Sequence, residues 1–236
     1  MNQEDLSGKI NVNKISEKDN AGIFEIEKLY PGYGLTIGNS LRRALLSSIP
    51  GAAVTQFKVK GILHEFSVIP GVLEDVLEIG LNLKKVRFNF YADEPQILTL
   101  KVKGEKKISA GDIGGNAQLK IINPDQHLFT ITEKKVDLEM QITVERGLGY
   151  VPVEKRKKEK LEIGVVALDA VFSPVRKVSF SIESMRVGDR TDYNKLLVAL
   201  ETDGSISPAE ALAKATDILS EHFRKIHSFL EKGKEE

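Results

Sequence analysis

The chain has 236 residues, with 34 Lys plus Arg against 34 Asp plus Glu and neither Cys nor Trp. That length holds roughly one to two domains, and 41% apolar residues can fill their cores, which excludes disordered and fibrous classes. A net charge of zero argues against a surface devoted to gripping nucleic acid, and the lack of cysteine excludes disulfides, a thiolate nucleophile and Cys-based zinc sites.

The first nine residues mix Glu4, Asp5 and Lys9 with polar neighbours, so they carry neither the basic start nor the apolar stretch of a signal peptide. No apolar run approaches the roughly 18 to 20 residues needed to span a bilayer, and a soluble, cytoplasmic protein is expected. Residues 9–30 read as two strands with a turn at 19–22, because Ile10, Val12, Phe24 and Ile26 alternate with polar residues. Pro31, Gly32 and Gly34 make a loop. Residues 36–49 then read as a helix, with Ile37, Leu41, Leu45 and Ile49 spaced by four and Pro50-Gly51 as the stop.

A strand is predicted at 54–60, then a loop with His64, then a helix over 71–83. That helix would place Val72, Val76, Ile79 and Leu83 on one face and Glu74, Asp75 and Glu78 on the other. Beyond it alternation dominates, most clearly at Val136, Leu138, Met140, Ile142 and Val144, as in sheets with one wet face. Residues 145–162, with the basic run Lys155, Arg156, Lys157 and Lys158, read as a long exposed loop. Strands resume at 164–172, 178–183 and 196–202. The last helix, 207–231, opens on Ser207-Pro208-Ala209-Glu210, a Ser cap with Pro at the first helical position and Glu three residues after the cap.

Chemistry is sparse. Gly32-Tyr33-Gly34 with Gly38 resembles a phosphate-cradling loop, but the last glycine falls one position late and no acidic residue follows to hold a ribose. A tight turn with close helix packing is the competing account. His64, His127, His222 and His227 have no zinc-ligand spacing, so no metal, cofactor or catalytic residue is assigned. Arg42 and Arg43 point about 100° apart on their helix, so one of them should flank the apolar stripe. They read either as a solvated face or as guanidinium forks for a partner's carboxylates. The basic run at 155–160 contains no aromatic and reads as a solvated loop.

The last helix gives the sharpest clue. Leu212, Ala215, Leu219, Phe223, Ile226 and Leu230 continue one apolar stripe over about six turns, widened by Ile218 and Phe229. Six such side chains would supply on the order of 10 kcal/mol when buried, before association costs. A dimer is expected, with an intramolecular core as the alternative.

Residues 30–54, from Tyr30-Pro31-Gly32-Tyr33-Gly34 through Leu41-Arg42-Arg43-Ala44-Leu45 to Pro50-Gly51, closely resemble the hallmark of the alpha subunits of bacterial DNA-directed RNA polymerase. So do 61–75 with His64-Glu65-Phe66, 145–153 with Arg146-Gly147-Leu148-Gly149-Tyr150, 169–175, 186–193 and 202–211, in the family's order.

The resemblance implies an α+β fold: a discontinuous dimerisation domain, residues 1–50 and 177–236, with two long helices packed on an antiparallel sheet, and an inserted mainly-β domain, residues 51–176. It implies a non-catalytic scaffold that homodimerises and nucleates assembly of the beta and beta prime subunits, with omega and sigma in the same complex and magnesium only in the large subunits. Promoter DNA would be reached through the holoenzyme, in the cytoplasm at the nucleoid. The family's carboxyl-terminal DNA-binding domain is not expected within these residues. By position, Arg42, Arg43, His64, Glu65, Phe66, Gly71, Glu74 and Asp75 match beta contacts. Ser173, Pro174, Arg176, Arg190, Thr191 and Asp192 match beta prime contacts. Leu45, Leu46, Leu212, Leu219, Phe223, Ile226 and Leu230 are the dimer candidates. The rival function from a different class is a small nucleotide-cofactor-dependent enzyme built on the loop from Gly32 to Gly38.

Overall fold

The computed structural model of the protein describes residues 10–115, 117–156 and 162–232. Two compact units emerge, one comprising Met1–Ile49 with Pro174–Glu236 and the other Pro50–Ser173. The first unit begins with β1 (Asn11–Lys18), β2 (Ala21–Leu29) and α1 (Tyr33–Ser47). The second holds β3 (Pro50–Val59), α2 (Val76–Leu83), β4 (Phe88–Phe90), β5 (Gln96–Lys103), β6 (Lys106–Ser109), β7 (Leu119–Ile121) and β8 (His127–Ile131). It continues with β9 (Asp137–Leu148), β10 (Tyr150–Val151), the single turn α3 (Val153–Arg156), β11 (Val165–Ala167) and β12 (Ala170–Val171). The first unit closes with β13 (Val175–Val187), β14 (Arg190–Thr202) and α4 (Pro208–Lys232).

In the first unit an antiparallel sheet of order β1-β2-β14-β13 carries α1 on β13 and β14, and α1 also packs on α4. The core is Phe24, Ile26, Leu29, Leu41, Leu45, Ile49, Val178, Leu196, Val198 and Leu200, joined by Ala211, Leu212 and Ala215 of α4. The capping expected for α4 is formed: Glu210 N donates to Ser207 Oγ at 3.2 Å and Ser207 N donates to Glu210 Oε2 at 3.2 Å. Glu17 of β1 adds a second acceptor at that helix start, taking Ala209 N at 3.0 Å. Lys14 first, then this amide, hold the Glu17 carboxyl below its usual range.

In the second unit a sheet of order β11-β3-β9-β5 is accompanied by three two-stranded ribbons, β4-β7, β6-β8 and β10-β12. Phe57, Leu100, Met140, Ile142 and Val144 of the sheet meet Val76, Ile79 and Leu83 of α2, all essentially buried. The alternation read at 136–144 is therefore the core face of β9, and the fold is α+β with two long helices on an antiparallel sheet.

Several boundaries differ from the sequence expectations. Helix α1 begins three residues earlier and ends two earlier, since Gly32 turns the chain at φ 87° and lets Tyr33 start the helix. Helix α2 begins at Val76, not 71, because residues 71–75 instead turn at Gly71, bridge from Val72 to Ile131 of β8 and bend into the Asp75 cap. Residues 145–162 are not one loop. Strand β9 runs on to Leu148, β10 pairs with β12, and Arg156 points inward, where Nη2 donates to the carbonyls of Leu168 and Thr55. Lys157 to Lys160 lie outside the described residues. Strands β13 and β14 form one long hairpin whose outer turns lack a buried apolar pattern, so only the portions near residues 178–183 and 196–202 were legible.

Candidate partner-binding surfaces

Helix α4 divides its apolar stripe. Leu212 and Ala215 belong to the unit's own core, whereas Phe223, Ile226, Phe229 and Leu230 are 65%, 58%, 79% and 60% exposed. Along the inner part of α4, from Ala209 to Phe223, runs an apolar groove of about 750 Å³, walled by Ile10, Val12, Ile26, Ile37, Leu219 and Phe223 among others. Ile10, just before β1, and Val12 within it thus line a groove, Ile15 of β1 stays exposed, and none of the three joins the core. Of the dimer candidates, Leu45 is fully enclosed and Leu212 nearly so, which leaves them supporting the helices from within. Leu46, Leu219, Phe223, Ile226 and Leu230 keep accessible surface.

At the start of α1 the glycine loop has a structural explanation. The amides of Gly32 and Gly34 donate to Asn194 Oδ1 of β14 at 3.0 and 3.2 Å, and Tyr33 N donates to Tyr30 O at 3.0 Å. A Cβ on Gly34 would stand 3.0 Å from Asn194 Cβ, and one on Gly38 would stand 2.7 Å from the Phe180 ring. The glycines let the helix lie close on β13 and β14, and its first amides are already engaged. This corrects the cofactor-loop alternative, since a phosphate would need those amides free. Arg42 and Arg43 are both exposed, contrary to the expectation that one flanks the stripe, and neither guanidinium makes a hydrogen bond or ion pair among the described residues. The stripe through Leu41, Ala44 and Leu45 is narrow enough to leave both in water.

Next to this helix start, the Arg190 guanidinium lies 5.3 Å from the Tyr30 ring centre and 5.2 Å from that of Tyr193. It also makes a two-pronged pair with Asp192, Nε to Oδ1 at 3.0 Å and Nη2 to Oδ2 at 2.7 Å. Arg190 holds the Asp192 carboxyl below its usual range. Thr191 and Arg176 are exposed, Ser173 is half-buried, and Pro174 is buried with its carbonyl taking Asp203 N. Arg190 and Pro174 are therefore already engaged within the protein.

In the second unit His64, Glu65 and Phe66 project from a loop, Phe66 being 76% exposed. The Gly71 to Asp75 segment has internal duties. Gly71 O accepts from Thr132 N, Leu73 N donates to Thr130 O, and Asp75 caps α2 in a reciprocal pair with Glu78. Glu74, with a side chain only 14% exposed, is not on a free polar face. It accepts from Thr130 N at 2.6 Å and lies 2.8 Å from His127 Nε2. Burial alone raises the Glu74 pKa, but the bonds from His127 and Thr130 outweigh it and hold the carboxyl below its usual range.

A depressed folded-state pKa contributes stability above the ordinary glutamate value of about 4.3 that disappears as pH falls through the folded value. Glu74→Gln is therefore expected to cost about 1 to 2 kcal/mol at pH 7 and progressively less toward pH 3. Thermal melts of both proteins across that range check it. A gap between them that persists undiminished at pH 3 would contradict this account.

Sequence reasoning missed Asn194, Tyr30 and Tyr193. Groups of three or more potential metal ligands are absent among the described residues, and no described helix is long and apolar enough to cross a membrane.

Comparisons with known proteins agree with one another. The family model for the RNA polymerase Rpb3/RpoA insert domain matches residues 56–173. The DNA-directed RNA polymerase subunit alpha of Symbiobacterium thermophilum is 47% identical over 227 residues, 96% of this chain and 72% of that protein. Those of Moorella thermoacetica and Alkaliphilus oremlandii are each 48% identical, over 92% and 91% of this chain and 69% and 67% of their own lengths.

Proposed function

We propose that this chain, which belongs to the family of bacterial DNA-directed RNA polymerase alpha subunits, is a scaffold subunit that pairs with a second copy of itself and gathers the large subunits. The observation that carries the reading is the 47% identity to an alpha subunit over 96% of the chain. The chemistry of nucleotidyl transfer, with its magnesium, then belongs to the large subunits in the cytoplasm, and this chain contributes surface.

The dimer reading rests on α4, whose outer half carries an uncovered apolar stripe that continues, through Phe223, from the wall of an apolar groove of the same unit. In a symmetric pair each protomer offers its half-helix and receives the other's, so both exposed features are covered by one two-fold contact. Capture of beta falls to Arg42 and Arg43, two exposed cations whose guanidinium groups have no partner among the described residues, aided by the loop at His64, Glu65 and Phe66. Contact with beta prime falls to the surface around Arg176 and from Arg190 to Asp192.

Light scattering after size exclusion tests both halves. The purified chain is expected near twice 26.1 kDa and to take up its cognate beta subunit. Arg43→Ala should keep that mass and its melting temperature, because an exposed arginine adds little to folding, while losing most of its beta. A monomer that ignores beta would overturn the scaffold reading, and full uptake by Arg43→Ala would remove the arginines from the beta surface.

A further inference from the structure

Helix α1 has no cap of its own. Its N-cap residue is Gly32, which has no side chain to offer, and the first-turn amides would be orphaned without an outside acceptor. Asn194, 160 residues further along the chain from Gly34, supplies that acceptor to two of them. Gly34 and Gly38 approach Asn194, Ile182, Phe180 and Leu196 with no side chain of their own, so the first turns of the helix are keyed to the sheet mainly by this clasp, and the side-chain packing of Leu41, Ala44 and Leu45 comes only in the later turns. The polar clasp at Asn194 is directional, since two N–H groups converge on one oxygen. Its strand is steadied alongside by Tyr193, which shares the Arg190 cation with Tyr30 at the other end of the loop.

We propose that Asn194 is a positioning residue for capture of the beta subunit, acting through α1 to set the register and rotation at which Arg42 and Arg43 are presented. Arg43 lies nine residues beyond Gly34, or about 13 Å along the helix, so a turn or slip at the start is carried rigidly to both cations. Guanidinium forks reward a fixed geometry more than a point charge does, which makes their capture sensitive to such a shift. The inference rests on the scaffold reading above, in which those arginines meet beta. It adds that β14, the strand that opens with the segment matched to beta prime, also holds the beta-facing helix in place.

The test uses the full chain and its cognate beta subunit, comparing wild type, Asn194→Ala, Asn194→Asp and Arg43→Ala. Asn194→Ala is expected to remain a dimer with wild-type helix content yet bind beta about fivefold more weakly, the factor equivalent to one lost helix cap. Amide exchange should accelerate at Gly32 and Gly34 in that variant. Asn194→Asp, which keeps the acceptor, should recover both properties. Full beta capture by Arg43→Ala would overturn the underlying reading and not the clasp. Weak capture by Arg43→Ala with wild-type capture by Asn194→Ala would overturn the clasp alone, as would failure of Asn194→Asp to recover. Should Asn194→Ala not fold, Asn194→Gln, whose acceptor sits one methylene further out, takes its place with the same two outcomes.

Discussion

Phe223→Asp combined with Ile226→Asp is expected to convert the protein to a folded monomer. Both side chains are more than half exposed in the single chain, at 65% and 58%, so their loss removes little from the protomer's own core. Their place is on the uncovered half of α4, with Phe229 and Leu230. Covering four such side chains on each of two protomers yields roughly 8 to 16 kcal/mol, discounted for surface already buried, against an association cost of about 4 to 15 kcal/mol. The helix alone therefore only about breaks even, and the apolar groove beside it must supply the margin. Two carboxylates placed in that contact would be desolvated without partners, which reverses the sign. Sedimentation of the double variant at micromolar concentration should show a single species near 26.1 kDa with wild-type helix content. A dimer that survives both substitutions would mean that α4 does not form the contact.

The second large effect concerns Gly71, which the family resemblance matches to a beta contact. The backbone there has φ +74°, and a Cβ would lie 2.5 Å from Val136 Cγ2 and 3.1 Å from Glu133 Cβ. Gly71→Val is expected to destabilise the second unit by about 2 to 5 kcal/mol, combining a left-handed conformation forced on a β-branched residue with overpacking against Val136. Amide exchange should rise first at Leu73 and Thr132, whose bonds tie this segment to β8. Gly61→Asn is the control. Its φ is +86°, but nothing lies within 4 Å, and asparagine tolerates that conformation, so a small effect is expected there. If Gly71→Val melts with the wild type, steric need does not explain this glycine.

The two substitutions show what kind of information the sequence carried. The stripe from Leu212 to Leu230 was visible because helical spacing is local, and so were the Ser207 and Glu210 cap and the alternation of β9. Which half of the stripe is covered was not visible, because it depends on where the sheet and α1 end beneath α4. The helix expected from residue 71 failed for a related reason. The apolar spacing of Val72 and Val76 suits a helix, but the segment gains its hydrogen bonds from β8, a partner some 60 residues away. Glu74 and Asp75 looked alike as exposed acids, yet one is an enclosed clamp on Thr130 and the other a helix cap.

The sequence by itself determined the α+β class, the main helices, the lack of thiol chemistry and, through motifs spread along nearly its full length, the family. These are properties of neighbouring residues and of order along the chain, which folding does not alter. Only the tertiary structure decided that Gly32 and Gly34 are served by Asn194 rather than open to a phosphate, that both arginines of α1 are exposed, and that Arg190 is shared between two tyrosines. Each of those outcomes depends on groups distant in sequence being brought within hydrogen-bonding or packing distance. Spacing along a chain carries no information about which side chain will fill the space opposite.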